Sequence, residues 1–260
     1  VTEVLATVLE RQRPKLIYTL PTFKNPAGTV LSLPRRRQLL DLAARYQIPV
    51  LEDDPYSELH FSDERLPSLK SLDEHGVVIY LSTFSKMLFP GLRLGWLVAP
   101  EPVVRHFALM KQRVELHSDT PGQWAIDGMI RDGELLAHVE KVRRNYARRA
   151  ELMHKTLQRC APDGTHWEHP EGGFYVWCRL PQELERSRLL STAAAAGVSV
   201  LPGWYCFVED PGASYIRLNF SFPREDQIEP GNTRLMEAVA TSTAGSRLSA
   251  AGGVGTRPIV

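Results

Sequence analysis

The residues best suited to chemistry form a polar cluster around Lys86, in the segment STFSKM at positions 82–87. The cluster stands between two apolar runs, at 77–82 and 92–98, that predict buried strands. A lysine at the end of a buried strand loses solvation, and desolvation or a neighbouring cation lowers its pKa and frees the amine to attack an aldehyde. The segment therefore has what a Schiff-base lysine requires, but taken alone such a segment is more often a surface lysine in a turn, and it does not decide between the two.

A second cluster combines two carboxylates and a tyrosine in the segment LEDDPY at 51–56. It follows an apolar run at 48–51 that predicts a strand, and open α/β sheets bind ligands at the carboxyl ends of their strands. A carboxylate held there can keep a pyridine nitrogen protonated, and Tyr56 could donate a hydrogen bond to a phenolic oxygen on the same ring. The competing interpretation is a helix cap or turn, which Asp-Pro often forms.

Two more polar residues lie at or inside predicted strands. Asn25, in PTFKNPAG at 21–28, follows the strand-like run KLIYTL, and its amide could donate to a ligand oxygen, although Asn-Pro is a turn signal in its own right. Arg217 stands inside the apolar run YIRLNFSF. Its planar guanidinium suits bidentate hydrogen bonding to a carboxylate. The alternative interpretation is an outward-facing arginine on an edge strand.

The elements that position these residues alternate strands with helices in the first half of the chain. A helical period at 33–45 separates the strands predicted at 15–20 and 48–51, which makes one βαβ unit, and the strands at 77–82 and 92–98 extend the sheet. Near-continuous apolar strands suit a sheet covered by helices on both faces. The predicted fold class is therefore α/β.

The second half of the chain is predicted to be helical from about residue 101 to 159, and strands and helices in mixed order follow. That order indicates a smaller α+β domain. The final segment is rich in Gly, Ser, Thr and Ala and has little apolar surface to bury, so it predicts a disordered tail. The predicted division is a large domain over 1–135, an interdomain helix with a small domain over 136–240, and the tail over 241–260.

The composition argues against several classes of function. Thirty-one basic and thirty acidic residues give a net charge of +1, so no overall field draws the chain to nucleic acid or to a membrane surface. No window approaches the apolar length of a membrane span. The three cysteines and eight histidines lack metal-site spacing, which predicts no metal and reduced thiols in the cytoplasm.

Taken together, these segments resemble one family. PTxxNPxG, EDDPYxEL, STFSKxLFPGLRLGW, EGGFYVW and YIRLNF occur here in the order and spacing of the aminotransferase class I/II enzymes that use pyridoxal 5′-phosphate (PLP). Within that family the chain is similar to the aminotransferase-like domains of MocR/GntR-type regulators and to 2-aminoadipate and kynurenine aminotransferases. The resemblance covers about residues 15 to 240. It implies the PLP-transferase fold of type I, with a mostly parallel large-domain sheet, flanking helices and a small α+β C-terminal domain.

The resemblance also implies how the residues hold the cofactor. Lys86 would form the Schiff base with PLP and later carry the proton between substrate and cofactor carbons. Asp53, three residues before Tyr56, matches the partner of the pyridine nitrogen, whereas Asp54 does not have that spacing. Asn25 and Tyr56 would hydrogen-bond the phenolic oxygen of the ring.

Further positions match the residues that bind the phosphate and the substrate. Thr83, Ser85 and Arg93 would contact the phosphate, and Arg217 would grip the α-carboxylate of the substrate. The implied reaction is transamination, in which an amino acid passes its α-amino group to the cofactor and a 2-oxo acid then accepts it.

The same resemblance implies an incomplete sheet, because members of the family begin their large domain well before PTxxNPxG. It also implies a homodimer, in which neighbouring subunits complete each site. Two alternatives to the enzyme stay open: a PLP-binding effector domain of a MocR/GntR-type regulator, and an inactive truncated remnant. The specificity for the amino acid and the oxo acid is left undetermined by the sequence.

Overall fold

A computed structural model describes residues 2–62 and 64–251 of the chain and divides it into two compact units. Of the described residues, the first unit comprises 2–25, 29–62, 64–145 and 171–173, and the second comprises 26–28, 146–170 and 174–251. The main division falls between residues 145 and 146, inside a long helix and later than the predicted boundary between 135 and 136.

A four-stranded sheet forms the centre of the first unit, in the order β1-β2-β3-β4. The strands are β1 (Ile17–Thr19), β2 (Val50–Asp53), β3 (Val78–Thr83) and β4 (Gly95–Val98). The first three are parallel, and β4 runs antiparallel to β3. Because parallel strands end at the same edge of a sheet, the segments that follow β1, β2 and β3 all emerge at that edge.

Three helices accompany the parallel strands: α1 (Thr2–Gln12), α2 (Leu33–Tyr46) and α3 (Leu69–Leu72). Pro34 in the first turn of α2 suits a helix start, and the left-handed Gln47 ends the helix by donating its N–H to the carbonyls of residues 43 and 44. One buried face of α2 forms the core with the sheet and α3, through Leu39, Leu40, Ala43, Val50, Leu69 and Val78. Burying each leucine there contributes roughly 1.5–3 kcal/mol.

The predicted helical region contains three helices: α4 (Glu101–Val114), α5 (Thr120–Arg131) and α6 (Glu134–Cys160). Asp119 caps α5, because its carboxylate accepts the N–H of Gly122 at 3.0 Å. None of the described residues of α4 is buried, and its apolar side chains, such as Phe107 and Met110, are about half exposed. None of the helices in the described ranges has the length and apolarity needed to cross a bilayer.

The second unit contains a three-stranded antiparallel sheet in the order β5-β7-β6. Its elements are β5 (Tyr175–Arg179), α7 (Arg186–Ala195), β6 (Leu201–Pro202), β7 (Tyr215–Asn219) and α8 (Glu225–Ala251). Ile216, Phe220, Ile228 and Leu235 are fully or almost fully buried in this unit. Helix α8 continues to Ala251, so residues 241–251 are helical where the sequence predicted a disordered tail, and the prediction for 252–260 lies outside the described residues.

Candidate active site

Six of the eight predicted site residues lie in or directly after the strands β2 and β3, within the first unit. Strand β2 ends at Asp53, and Tyr56 follows it; β3 ends at Thr83, and the turn after it contains Ser85 and Lys86, with Arg93 just before β4. Asn25 follows β1 in the same unit. The parallel order of these strands places all seven in segments at or near one edge of the sheet, whereas Arg217 belongs to the second unit.

Asp53 is held at the end of β2 by a tyrosine from the neighbouring strand. The hydroxyl of Tyr18 on β1 donates to Oδ2 of Asp53 at 2.6 Å, a length typical of a hydroxyl bonded to a charged carboxylate. Burial, together with the hydrogen bond and the charge of Asp53, raises the pKa of Tyr18 to about 12, so the hydroxyl keeps its proton. In the described ranges this is the one hydrogen bond that the Asp53 carboxylate receives.

Asp54 is used differently from its neighbour. It is 3% exposed, its carboxylate accepts the N–H of Ser57 at 3.1 Å and the hydroxyl of Tyr80 at 3.0 Å, and its carbonyl accepts the hydroxyl of Ser82 at 2.7 Å. These bonds close the turn after β2 and tie it to β3. Both oxygens of Asp54 are thus engaged within the protein, which leaves Asp53 as the carboxylate suited to a ligand.

Glu52, which the sequence analysis did not single out, fixes the same strand end from the buried face. Its two carboxylate oxygens accept the backbone N–H groups of Leu69 and Lys70, each at 2.8 Å, and so cap α3. Complete burial raises the pKa of Glu52, against the effect of these two hydrogen bonds. Tyr56 lies close by in the chain at 3% exposure, where the turn 57–59 begins.

The turn that carries Lys86 is ordered by hydroxyl groups. Oγ1 of Thr83 lies 3.0 Å from the carbonyl of Leu94 and 2.9 Å from Oγ of Ser85, and it accepts the N–H of Ser85 at 3.1 Å. Since a carbonyl only accepts, the proton of Thr83 points to Leu94, and Ser85 donates its own proton to Thr83. One turn of helix-like backbone, with the N–H of Leu88 bonded to the carbonyl of residue 84 at 2.8 Å, then holds the half-buried Lys86.

The segment before β4 places Arg93 in a strained conformation. Arg93 has a φ of 52°, in the left-handed region that non-glycine residues seldom adopt, and its exposed guanidinium donates to the carbonyl of Pro90 at 3.3 Å. Gly95, two residues later, pairs with Thr83, and a Cβ at this glycine would lie 2.6 Å from the carbonyl oxygen of Ser82. The close approach of β3 and β4 at the Thr83 end therefore requires glycine.

A buried arginine, also missed at the level of sequence, holds the loop of Asn25. Arg36 on α2 has no exposed surface. Its guanidinium donates to the carbonyls of Pro21, Leu31 and Pro67 at 2.8–3.1 Å and to the hydroxyl of Thr22 at 2.8 Å. Both ends of the loop 21–31 are thereby fixed to one side chain, while Asn25 at its tip is exposed.

Arg217 is central in β7 of the second unit, where it pairs with Trp177 of β5. Its guanidinium carbon lies 4.1 Å above the centre of the Tyr175 ring, a cation–π contact that orients the side chain. The residue also lines a pocket of about 420 Å³ together with Leu201, Asn219 and others. An arginine oriented in this way can receive a carboxylate.

Comparisons with known proteins decide the family. The model of the family described as aminotransferase class I and II matches residues 2–235. The chain belongs to this family. It is 40% identical over 230 residues to the aromatic-amino-acid aminotransferase 1 of Thermococcus litoralis, an alignment that covers 88% of this chain and 55% of that protein. Relatives also include an HTH-type transcriptional regulator of Bacillus subtilis, YisV, at 37% identity over 84% of this chain and 44% of the regulator.

Solved aminotransferase structures have the same fold. The α-aminoadipate aminotransferase LysN of Thermus thermophilus, complexed with N-(5′-phosphopyridoxyl)-L-leucine, superposes with a TM-score of 0.88 at 34% identity, over 93% of this chain and 63% of LysN. The prediction of the type I PLP-transferase fold is thus confirmed. The chain spans between about half and two thirds of the length of these aminotransferases and less than half of the regulator.

The side chains at the sheet edge fit the cofactor of this aminotransferase family, PLP. A ring with a basic nitrogen needs a carboxylate oxygen that is not already hydrogen-bonded by the described residues, and Asp53 supplies one. A phosphate needs hydroxyl and cationic donors, which Thr83, Ser85 and Arg93 carry, and an aldehyde needs an amine, which Lys86 carries. No group of three or more residues suited to hold a metal occurs within 2–62 and 64–251.

Proposed function

We propose that this chain carries the cofactor site of a PLP-dependent aminotransferase. The observation that supports this most directly is the arrangement of two adjacent parallel strands: β2 ends in a carboxylate, Asp53, and β3 leads into the hydroxyl-ordered turn of Lys86. A carboxylate and an amine at neighbouring strand ends are what a pyridine ring with an aldehyde requires on its two sides.

Each residue has a role that follows from its chemistry. When bound, PLP supplies an electron-withdrawing ring that stabilises negative charge on the substrate α-carbon. Asp53 would hold a proton at the ring nitrogen, and Asn25 and Tyr56 would donate hydrogen bonds to the phenolic oxygen. Lys86 would hold the cofactor through Nζ, and its amine would move the proton of the substrate α-carbon.

The remaining residues bind the anionic groups. Thr83, Ser85 and Arg93 would bind the phosphate, and the left-handed backbone of Arg93 supports this role, because strained conformations cluster at ligand-binding sites. Arg217 grips the substrate α-carboxylate, in agreement with its contact with Tyr175. The substrates are therefore an amino acid and a 2-oxo acid. We further propose a homodimer located in the cytoplasm that binds neither nucleic acid nor membrane through this chain, on the basis of the family resemblance, the balanced charge and the unpaired cysteines.

The test is a titration of the purified chain with PLP, followed by borohydride reduction and peptide mapping. We expect a visible absorbance band from the lysine–cofactor bond, and after reduction the cofactor should be attached to Lys86. The variant Lys86→Ala should lose the band and keep its circular dichroism spectrum. Lys24→Ala, which removes an exposed lysine near Asn25, is the matched control and should keep the band. Labelling of a different lysine would contradict the assignment.

A second step separates the enzyme from the regulator, which the similarity to YisV supports as the alternative. Addition of amino acids to the loaded protein should convert the bound cofactor to its amine form if the chain is an aminotransferase. Cofactor binding without this conversion, for every amino acid tested, would favour an effector domain of the regulator type. Failure to bind the cofactor by a correctly folded chain would favour the inactive remnant.

A further inference from the structure

We propose that Tyr18 is a positioning residue for Asp53, which it orients by holding one carboxylate oxygen so that the other is presented to the cofactor ring nitrogen. This inference rests on the proposed function. The starting observation is the 2.6 Å hydrogen bond from the Tyr18 hydroxyl to Oδ2.

The register of the sheet explains why these two side chains meet. Tyr18 pairs with Leu51 in the parallel ladder between β1 and β2. Side chains alternate between the two faces of a strand, so Asp53, two residues beyond Leu51, points to the same face as Tyr18. The long tyrosine side chain spans the step along the strand and reaches the carboxylate. The bond is therefore a consequence of where both residues lie in the sheet.

A bond of this kind restrains a carboxylate without neutralising it. An aspartate at the end of a strand can rotate its carboxyl group, and a donor fixed to Oδ2 selects one orientation. The phenol is well suited to this task, because its pKa of about 12 keeps it protonated, and therefore able to donate, at neutral pH. The hydrogen bond leaves the second carboxylate oxygen of Asp53 to face the ring nitrogen.

The neighbouring pair of Tyr80 and Asp54 provides a natural control. Tyr80 on β3 donates to Oδ2 of Asp54 at 3.0 Å, so tyrosine–aspartate bonds occur at two adjacent residues, Asp53 at the end of β2 and Asp54 directly after it. Asp54 also accepts the N–H of Ser57. The Tyr80 bond therefore holds a turn, whereas the Tyr18 bond leaves one carboxylate oxygen without a hydrogen bond from the described residues.

The first experiment examines the bond in the protein without cofactor. Tyrosines are replaced by 3-fluorotyrosine, which lowers the phenol pKa into a range where the protein stays folded, and fluorine NMR signals are followed against pH. In Asp53→Asn the pKa of residue 18 should fall toward that of free fluorotyrosine, while that of residue 80 stays raised. An unchanged pKa at residue 18, or an equal fall at both, would overturn the proposed link.

The second experiment measures the dissociation constant of PLP for Tyr18→Phe and Tyr80→Phe. We expect Tyr18→Phe to weaken binding about tenfold, the size seen when a residue that orients a ligand-binding side chain is removed, with little loss of thermal stability because the pair is partly exposed. Tyr80→Phe should bind within about twofold of the original chain. Equal affinities for Tyr18→Phe and the original chain would refute the positioning role.

The two experiments also separate this inference from the proposed function. If the original chain binds no PLP, the proposed function fails and the role of Tyr18 toward the ring fails with it, although the NMR titration still shows whether the bond to Asp53 exists. If the original chain binds PLP through Lys86 and Tyr18→Phe binds it equally well, the proposed function stands and only the role of Tyr18 is wrong.

Discussion

Replacement of Arg36 by methionine should be among the most damaging single changes in the first unit. Methionine keeps much of the apolar stem but removes four hydrogen bonds, three of them to the carbonyls of Pro21, Leu31 and Pro67. A buried carbonyl left without a donor costs about 1–3 kcal/mol, and removal of one partner from a buried charged network costs about 3–5 kcal/mol. Because the carbonyls of Leu31 and Pro67 are only partly buried, and that of Pro21 keeps the N–H of Leu31 as a donor, we expect a loss near the middle of the second range, about 4 kcal/mol.

Urea unfolding and amide hydrogen exchange measure this effect at two scales. The free energy of unfolding of the first unit should fall by about 4 kcal/mol, and exchange at the N–H of Leu31, bonded to the carbonyl of Pro21 at 2.7 Å, should accelerate. Arg35→Met removes an exposed arginine one position earlier and is the matched control, with an expected change below about 0.5 kcal/mol. A similar small change for Arg36→Met, with normal exchange at Leu31, would refute the argument.

Three further predictions concern stability and reactivity. Burial alone would raise the pKa of Asp73, but two backbone N–H groups and a lysine hold it below its ordinary value. The stability that ionised Asp73 contributes is therefore present above about pH 3.9 and is lost as the pH falls through the folded pKa. The urea midpoints of Asp73→Asn and of the original chain should therefore approach each other in acid. The exposed thiol of Cys206 should react readily with a thiol reagent. Cys178 should react only on unfolding, because its thiol is fully buried and burial raises its pKa. Mass spectrometry of labelled peptides measures the extent of reaction at both cysteines. Gly172→Ala should cost about 1–3 kcal/mol in urea unfolding, because its new Cβ would overlap the ring of Phe23.

Periodicity in the sequence located the strands of the first unit well, because each is a short apolar run with polar residues directly after it. The prediction of strands at 48–51 and 77–82 differs from β2 and β3 by one or two residues. That accuracy was sufficient to place Asp53 and the turn of Lys86 at strand ends. The spacing of the motifs, and not any one residue type, then selected Asp53 over Asp54, a choice that agrees with the hydrogen bonds of Asp54.

The supporting residues could not be found in this way, because their partners are distant in the chain. Tyr18 and Asp53 are 35 positions apart, and their contact depends on the register between β1 and β2, which no local pattern encodes. Arg36 stands between two other arginines in the segment RRR, and only the buried face of α2 distinguishes it from them. The end of the last helix was also missed, because alanine and serine after residue 240 favour a helix as readily as a tail.

These supporting residues share one physical function, which is to fix the backbone segments that carry the site residues. Glu52 fixes the end of β2 by capping α3, Asp54 closes the turn after it, and Arg36 clamps the loop of Asn25. The charged group of each is hydrogen-bonded within the protein, so it is poorly placed to bind a ligand. Asp53 is the exception at this sheet edge, since it receives a single bond from Tyr18 within the described residues. A carboxylate that is oriented and yet still has an oxygen to offer is suited to bind a protonated ring nitrogen, and this contrast between adjacent carboxylates favours a cofactor site over a purely structural one.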